Sequence, residues 1–200
     1  MNYARSLYTS VGSGLAVAVV ACLVALVVFP LKYGAEARLL ITPRATPGVD
    51  PYTSSKAAER IAQNLAEVVG TSQFFSRVIA VPGSGIDVSY FPTDELQRRK
   101  LWSQTIDASV TYNTGILGIT AYHTHKAQAV AIASTVAGVL GGTGNDFAVN
   151  AADYRLIDSP VASQYPQKPN FLAIAVAGFL LGGAVSFIYS LAHHKHGIFG

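Results

Sequence analysis

The chain has 200 residues, about the length of one ordinary domain, and half of them are hydrophobic while only 12% are charged. Soluble proteins carry about 25% charged residues, so this composition excludes an ordinary soluble enzyme. The net charge of +3 is the small difference between 14 basic and 11 acidic residues, so the chain lacks the excess of basic residues that a DNA-binding stripe needs.

The charged residues are concentrated in the middle of the chain, where 23 of the 25 lie between Lys32 and Lys168. The segment before them runs without a charge from Val11 to Phe29, and its 19 residues are close to the ~20 that cross the hydrocarbon core of a bilayer. Pro30 then ends the apolar run. The sequence therefore predicts a first transmembrane helix over residues 11–30, after an N-terminal tail of residues 1–10.

A second charge-free segment of 22 residues runs from Phe171 to Ala192. Gly178 and Gly182 have the G-x-x-x-G spacing that places both on one helix face, where small residues allow close helix contact. Glycine is also frequent in membrane helices without such a role. We predict a second transmembrane helix over residues 170–192, followed by a tail of residues 193–200, with Gly178 and Gly182 as helix-packing candidates.

Two alternatives concern the processing and the orientation of this hairpin. A cleaved signal peptide is the rival interpretation of the first segment, because Ala35-Glu36-Ala37 resembles an A-x-A cleavage site. Taken literally, the count of basic residues near the spans places the central block in the cytoplasm, but that rule loses force for loops longer than ~60 residues. Charge therefore leaves the orientation open. The only cysteine, Cys22, lies in the first span, so the central block has no thiol for a disulfide or a zinc site.

The central block, residues 31–169, begins with a predicted strand. Partial alternation of apolar and polar residues from Ala35 to Thr42 is typical of a half-buried strand. After a loop rich in proline and glycine, apolar residues four apart predict a helix over Lys56 to Val69, which Gly70 closes. A short helix over Ser72 to Ala80 is expected to follow.

The next helix is expected to begin at Thr93 as its N-cap and to carry the basic run Arg98-Arg99-Lys100. One interpretation of this run is a site for an anionic sugar or a lipid pyrophosphate. Acid-before-base pairs at i,i+4 favour the other interpretation, an ordinary solvated helix face. We keep Arg98, Arg99 and Lys100 as candidate polysaccharide contacts.

Two further strands, Asp107 to Tyr112 and Ile116 to Tyr122, are joined by a sequence typical of a hairpin loop. Thr124 can cap the helix that follows, which runs through Leu140 and is too short and alanine-rich for a third span. A last strand covers Tyr154 to Asp158, and it would be antiparallel to the first strand if the two pair. We therefore predict an α+β domain, a small mixed sheet with packed helices, rooted on a two-helix transmembrane hairpin.

The central block shows no positive sign of catalysis. Its glycine-rich stretch, residues 138–144, lacks the Lys and Ser/Thr of a phosphate-binding loop, so nucleotide binding is not expected. His123 and His125 could begin a metal site at a strand end, but no cluster elsewhere supplies an obvious third ligand. We expect no cofactor, no metal and no catalytic residue, and a membrane-anchored hydrolase stays as a third alternative.

The order of features along the chain resembles the Wzz-type chain-length determinants, or polysaccharide co-polymerases, a family that includes the membrane partners of bacterial tyrosine kinases. The resemblance covers nearly the whole chain and is closest to the compact capsule or exopolysaccharide type. It rests on the segment Tyr33 to Ile41 after the first span, the helix Ile61 to Ala66 running on to Thr71-Ser72, the strand Ile119 to Tyr122 before an alanine-rich helix, and Leu156-Ile157-Asp158 before the prolines.

The resemblance implies a non-enzymatic regulator of chain length in the biosynthesis of a bacterial surface polysaccharide. It implies a two-pass protein of the bacterial plasma (inner) membrane with both termini in the cytoplasm and the central block external or periplasmic. The protein would form a ring-like homo-oligomer and act with a separate polymerase on the growing polysaccharide. The residues implied to face the polymerase are Pro160, Pro166, Pro169, Gly178 and Gly182. Of these prolines, only Pro166 and Pro169 keep the spacing of three that is common in the family.

Members of the compact type commonly work with a cytoplasmic tyrosine kinase through their tail. The eight residues from His193 to Gly200 contain no tyrosine and no Walker motif, which argues against kinase activation through this tail. The alternative function is a membrane adaptor that recruits or activates a cytoplasmic tyrosine kinase or a polysaccharide exporter. Even the central block has only 23 charged residues among 139, which predicts extensive contacts between subunits.

Overall fold

The structure is a computed structural model that describes residues 2–44, 50–148 and 152–196. The chain divides into two compact units, one formed by Met1–Leu31 with Gln167–Gly200 and the other by Lys32–Pro166. We call them the helix hairpin and the α+β unit. The last four residues of the predicted C-terminal tail, 197–200, lie outside the described residues.

The helix hairpin contains α1, Asn2–Val28, and α6, Phe171–His196. Helix α1 therefore extends through residues 2–10, which the sequence analysis treats as a tail. Each helix contains a 19-residue window, Ser10–Val28 and Phe171–Tyr189, that is long and apolar enough to cross a membrane by length and composition. Asn170 starts α6, because its side-chain oxygen accepts the backbone N–H of Ala173 at 3.1 Å.

The α+β unit contains four strands and four helices. In chain order they are β1 (Tyr33–Pro43), α2 (Pro51–Val69), α3 (Ser72–Ile79), a 3₁₀ turn (Val88–Tyr90), α4 (Glu95–Thr105), β2 (Ile106–Val110), β3 (Ile116–His123), α5 (Lys126–Ala148) and β4 (Ala152–Ala162). The α+β class and the two candidate spans predicted from sequence are thus present in the structure.

The four strands form one sheet in the order β2-β3-β1-β4, and all three pairings are antiparallel. The prediction of a mixed sheet was wrong. The reason is that a tight turn over residues 111–115 joins β2 to β3, while β3 and β4 both run against β1 from either side. The expected antiparallel pairing of the first and last strands is present.

Helices cover one face of this sheet, which we call the inner face. Its central residues are fully buried, among them Ala37, Leu39, Leu117 and Ile119. Helix α5 lies against β1, β3 and β4, and α2 packs near β1 and β2. The alternation predicted for β1 follows from this arrangement, because every second residue of the strand faces the helices.

The helix starts follow from local capping, and two of them differ from the sequence expectation. The α4 cap is Asp94, not Thr93, because the Asp94 carboxylate accepts the backbone N–H of Gln97 at 2.9 Å and suits the positive helix end. The Thr124 hydroxyl does not cap α5 but lies 3.2 Å from Nδ1 of His125. Asp50 caps α2, which begins earlier than predicted, at Pro51.

Helix α5 is longer than the sequence predicts, since it continues from Leu140 through the glycine-rich stretch to Ala148. The glycines of this stretch have helical neighbours on both sides, and a Cβ at Gly138, Gly141 or Gly142 would have open space around it. Glycine lowers helix propensity by about 1 kcal/mol, which contacts elsewhere along the same helix can offset.

Candidate interaction surfaces

The closest helix contact in the hairpin is built on glycines. A Cβ on Gly178 would lie 2.9 Å from Cα of Ala18, and a Cβ on Gly182 would lie 2.8 Å from Cβ of Val17. These distances are shorter than real Cβ contacts, so both positions admit only a hydrogen at this separation of the helices. The structure thus places both glycines of the G-x-x-x-G pair against α1.

A third glycine, on α1, was missed by the sequence analysis. A Cβ on Gly14 would lie 2.8 Å from the backbone oxygen of Phe179. The neighbouring Ser13 hydroxyl lies 3.2 Å from the carbonyl oxygen of Gly182 and donates to it. The signal for this contact was present in the sequence as the adjacent small residues Ser13 and Gly14, which both lie against α6.

Outside these contacts, the two candidate spans, Ser10–Val28 and Phe171–Tyr189, are apolar and largely exposed. Only 17% of the Ser10–Val28 window and 11% of the Phe171–Tyr189 window are buried inside the structure. The large exposed side chains on α6 include Leu172, Val176, Leu180, Leu181, Val185, Phe187 and Ile188. A core helix of a soluble protein would be mostly buried, so the exposure favours lipid as the neighbour of this surface.

The face of the sheet opposite the helices, the outer face, is polar. Glu36 and Arg38 on β1 form an ion pair of 2.8 Å, with both side chains about half exposed. Gly118 stands opposite Arg38, and a Cβ there would lie 3.2 Å from the Ser109 hydroxyl. An exposed ion pair contributes at most about 1 kcal/mol to stability, so this face is a hydrated surface and not a second core.

Tyr122 adds an aromatic ring to the outer face, beside the carboxylates of Asp107 and Glu36. Burial, and to a lesser degree these two negative charges, raise the pKa of the Tyr122 hydroxyl above its usual value. The phenol therefore stays protonated and can donate a hydrogen bond. An aromatic ring with flanking carboxylates can contact a polar ligand. No local sequence pattern marks these three residues.

Strand β4 forms one edge of the sheet, since among the described strands its neighbour is β1 alone. It carries exposed apolar side chains at Leu156 (47% exposed), Ile157 (48%) and Val161 (77%). Pro160 lies in this strand, within an irregular stretch where the register between β1 and β4 shifts. An edge strand of 11 residues with exposed apolar side chains is a surface that proteins usually cover.

The remaining proline candidates flank the boundary between the units. Pro166 is the last residue of the α+β unit, and Pro169 belongs to the helix hairpin, just before α6. The peptide bond between Lys168 and Pro169 is cis. The structure therefore does not gather Pro160, Pro166 and Pro169 into one element.

The basic run on α4 is largely engaged in contacts within the domain. Arg98 and Arg99 both bind the Glu95 carboxylate, at 2.8 and 3.3 Å. Arg99 also donates to the Ser72 hydroxyl at 3.0 Å, and the Arg98 guanidinium lies 5.5 Å from the centre of the Phe75 ring. Among the described residues, Lys100 is the one of the three candidate polysaccharide contacts whose side chain makes no hydrogen bond or ion pair. The engagement of both arginines favours the solvated-face interpretation.

The two histidines at the end of β3 lie close together but in different environments. His123 is buried, with 4% of its surface exposed, and its Nδ1 accepts the backbone N–H of His125 at 3.0 Å. Burial is the main reason why the pKa of His123 is lowered. Among residues 2–44, 50–148 and 152–196, no group of three or more His, Cys, Asp or Glu side chains could hold a metal ion.

Comparison with known proteins adds no assignment. No protein-family model matches the chain, and no curated protein matches it.

Proposed function

We propose that the protein is a non-enzymatic membrane regulator of chain length in bacterial surface polysaccharide biosynthesis. In this proposal the helix hairpin anchors the chain in the plasma membrane with both termini in the cytoplasm. The α+β unit lies outside and assembles into a ring-like homo-oligomer beside a separate polymerase. The basis is the resemblance of the sequence to the Wzz-type family, together with the architecture described above.

The observation that carries the proposal is the way in which the α+β unit closes on itself. Gly34 near the start of the unit and Ser163 near its end are joined by two hydrogen bonds. The backbone N–H of Ser163 donates to the Gly34 carbonyl at 2.7 Å, and the Gly34 N–H donates to the Ser163 hydroxyl at 3.0 Å. The chain thus enters and leaves the unit at one point, as a domain inserted between two membrane spans requires.

Self-assembly is supported by one surface of the α+β unit, the edge strand β4. This strand exposes apolar side chains, and among the described residues it pairs with β1 alone. A second copy that covers β4 would remove the exposed edge of the sheet. Burial between copies would also account for the low share of charged residues in the central block as a whole.

The experiment that tests the proposal is the polysaccharide size distribution with and without the gene. We expect deletion to broaden the distribution while repeat-unit synthesis continues. Complete loss of the repeat unit would show an enzyme instead. Removal of residues 193–200 separates the alternative, because a kinase or exporter adaptor needs its tail, whereas a regulator acting outside the membrane keeps its size control without it.

A pair of surface variants tests the assembly. Val161→Lys places a charge on the exposed edge strand and should reduce cross-linked oligomers and broaden the polysaccharide distribution together. Leu96→Lys is the matched control, because Leu96 on α4 is also 76% exposed and apolar but lies away from β4. Equal oligomer yields from both variants would remove β4 from the interface, and cross-linking that gives only monomers in the unaltered protein would refute the ring.

A further inference from the structure

Two lysine–tyrosine pairs lie at opposite ends of the sheet. The Lys56 ammonium lies 4.8 Å from the centre of the Tyr112 ring, beside the turn between β2 and β3. The Lys126 ammonium lies 4.7 Å from the centre of the Tyr33 ring, at the start of β1. Strand β3 separates the two ends, and its eight residues span about 23 Å.

The two pairs differ in how their charge is balanced. Lys56 donates to the carboxylate of Glu59 at 2.9 Å, and this hydrogen bond lowers the pKa of Glu59, so the pair is close to neutral. Lys126 instead donates to the backbone carbonyl of Gln164 at 3.1 Å. Within the described residues, no carboxylate lies at ion-pair distance from Lys126. The ring and the carbonyl hold this ammonium in place without removing its charge.

A second lysine, Lys32, lies at the same end, and no carboxylate in the described part of the chain is at ion-pair distance from it. Lys32 is half-buried, and burial lowers its pKa. The rings of His123 and His125 lie 5.6 Å apart, and Tyr33, the chain neighbour of Lys32, pairs with His123 in the sheet, so these groups lie at one end of β3. The carboxylate of Asp87, near these histidines, already accepts the N–H and the hydroxyl of Ser89 at 3.0 and 2.6 Å, and these two hydrogen bonds are the main reason why the pKa of Asp87 is lowered.

The covalent chain limits how far Lys32 can lie from the end of the candidate span. Lys32 follows Val28, the last residue of α1, by four residues, so their Cα atoms are at most about 14 Å apart. The headgroup layers together add about 10–15 Å to a hydrocarbon core of about 30 Å. Tyr33 and the exposed Tyr165 lie at the same end of the sheet, and tyrosine is enriched in the headgroup layer of membranes.

We propose that Lys32 and Lys126 bind the phosphate groups of anionic phospholipids at the membrane surface from which the α+β unit emerges. The inference rests on the membrane anchoring in the proposed function and adds the lipid class that contacts the protein there. Lys126 is already positioned by Tyr33 and Gln164, so little side-chain freedom is lost when it meets a phosphate. Lys56 at the other end of the sheet provides the internal control.

The test uses the full chain in lipid nanodiscs and a neutral acetylating reagent, with the labelling rate of each lysine read by mass spectrometry. Discs of phosphatidylcholine are compared with discs that also contain phosphatidylglycerol. We expect phosphatidylglycerol to slow labelling of Lys32 and Lys126 about fivefold each, the equivalent of about 1 kcal/mol per lysine near an anionic surface. Lys56 should be labelled at the same rate in both discs.

Each outcome of the nanodisc labelling experiment has a different meaning. If Lys32 and Lys126 are labelled equally in both discs, or Lys56 slows as much as they do, the inference is wrong while the anchoring stands. If inorganic phosphate protects them in phosphatidylcholine discs, the ligand is a soluble anion and the lipid assignment is overturned. A chain that does not enter discs at all refutes the anchoring and this inference together.

A variant pair gives a second measurement that does not depend on amine labelling. The double variant Lys32→Gln/Lys126→Gln should bind spin-labelled phosphatidylglycerol several-fold less than the unaltered chain, with fewer immobilised lipids per protein. Lys56→Gln removes a lysine of the same geometry and should leave lipid binding unchanged. Equal lipid binding by both variants would contradict the proposal.

Discussion

Helices α5 and α6 are similar in composition but bury their apolar residues in opposite ways. Both are long, with 23 and 26 residues, and both contain several glycines. Helix α5 buries a stripe against the sheet, formed by Ala129, Ile132, Ala133, Val136, Ala137 and Leu140. Helix α6 buries its small residues against α1 and leaves its large apolar side chains exposed.

The difference shows that side-chain size along the helix decides its partner. The α5 stripe is half alanine, so the helix axis can approach the sheet closely and leave no gap. Helix α6 has glycine where it meets another helix and leucine, valine, isoleucine or phenylalanine on its other sides. That distribution suits a helix surrounded by lipid, where large apolar side chains gain by facing outward.

The largest expected effect comes from a charge on the exposed surface of α6. Leu181→Arg should change the insertion free energy of the span by about 3–4 kcal/mol, because leucine favours and arginine opposes the centre of a membrane helix. Leu181 is 66% exposed near the middle of the span. We expect most of the variant protein to be lost from the membrane fraction after alkaline extraction.

The matched control places the same charge on α5. Ser134 is exposed on the side of α5 away from the sheet, so Ser134→Arg should leave both membrane extraction and folding unchanged. If Leu181→Arg stays in the membrane as fully as Ser134→Arg, the exposed surface of α6 does not face lipid and the comparison fails.

The second effect concerns packing beneath α5. Ala133→Leu adds three carbons where the side chain is fully buried against the sheet, and overpacking of this kind costs about 1–3 kcal/mol. The only tryptophan, Trp102, is buried in the α+β unit, so its fluorescence in a urea titration reports unfolding of that unit. Ser134→Leu is the control and should shift the midpoint little. Equal midpoints for the two variants would mean that α5 is not closely packed at Ala133.

Much of the α+β unit could be predicted because its strands alternate and its helices are amphipathic. The strand at Ala35–Thr42 and the helix ending at Val69 are present with small changes of boundary. The continuation of α5 to Ala148 could not be predicted from the sequence. The low helix propensity of glycine is a local property, whereas α5 is stabilised by the packing of buried residues such as Val136 and Leu140 against the sheet. Sheet order also required pairing information that no single strand carries.

The interaction surfaces were only partly predictable. Gly178 and Gly182 have a local spacing that indicates a helix contact, and they were found from the sequence alone. Lys126 could not be recognised, because its position over Tyr33 depends on residues 93 positions apart being brought together by the pairing of β1 with β3. The basic run at Arg98 is conspicuous in the sequence, but two of its three charged side chains, Arg98 and Arg99, bind the Glu95 carboxylate of the same helix.

The third prediction concerns two glycine-to-alanine substitutions, one expected to stabilise its helix and the other to disrupt a helix contact. Gly138→Ala on α5 meets open space and should stabilise the unit by up to about 1 kcal/mol through helix propensity. Gly178→Ala brings a methyl group to 2.9 Å from Cα of Ala18 and should separate α1 from α6. The first is measured by Trp102 fluorescence in urea.

The second substitution is measured at Cys22, whose sulfur lies 3.8 Å from the backbone oxygen of Phe171 on α6. A lipid-soluble maleimide should react faster with Cys22 in Gly178→Ala than in the unaltered chain. Gly12→Ala on α1 is the control, because a Cβ there meets nothing within 4 Å. A stabilising result for both Gly138→Ala and Gly178→Ala would show that the helices of the hairpin are not in close contact.

The smallest expected effect is a pH dependence of stability that arises at the start of α5 and has no counterpart at the start of α6. Helix α6 begins at the neutral Asn170, whereas α5 begins beside His123, whose Nδ1 accepts the His125 N–H. Burial lowers the pKa of His123 below the ordinary value of 6.5. The unfolded chain therefore binds more protons than the folded one between these two pKa values. The contribution of neutral His123 to the free energy of unfolding is complete above the pKa that this histidine has in the unfolded chain. It is lost as the pH falls through the lower pKa that His123 has in the folded chain.

The urea midpoint of Trp102 fluorescence should accordingly be lower at about pH 5.5 than at about pH 7.5, on either side of the ordinary histidine pKa of about 6.5. His123→Asn should flatten this dependence, since its side-chain oxygen can still accept the His125 N–H but cannot be protonated in this range. His125→Gln should retain it, because His125 is exposed. A midpoint that rises on acidification would require His123 to gain a proton on folding, which is incompatible with an Nδ1 that accepts a backbone hydrogen bond in a buried site.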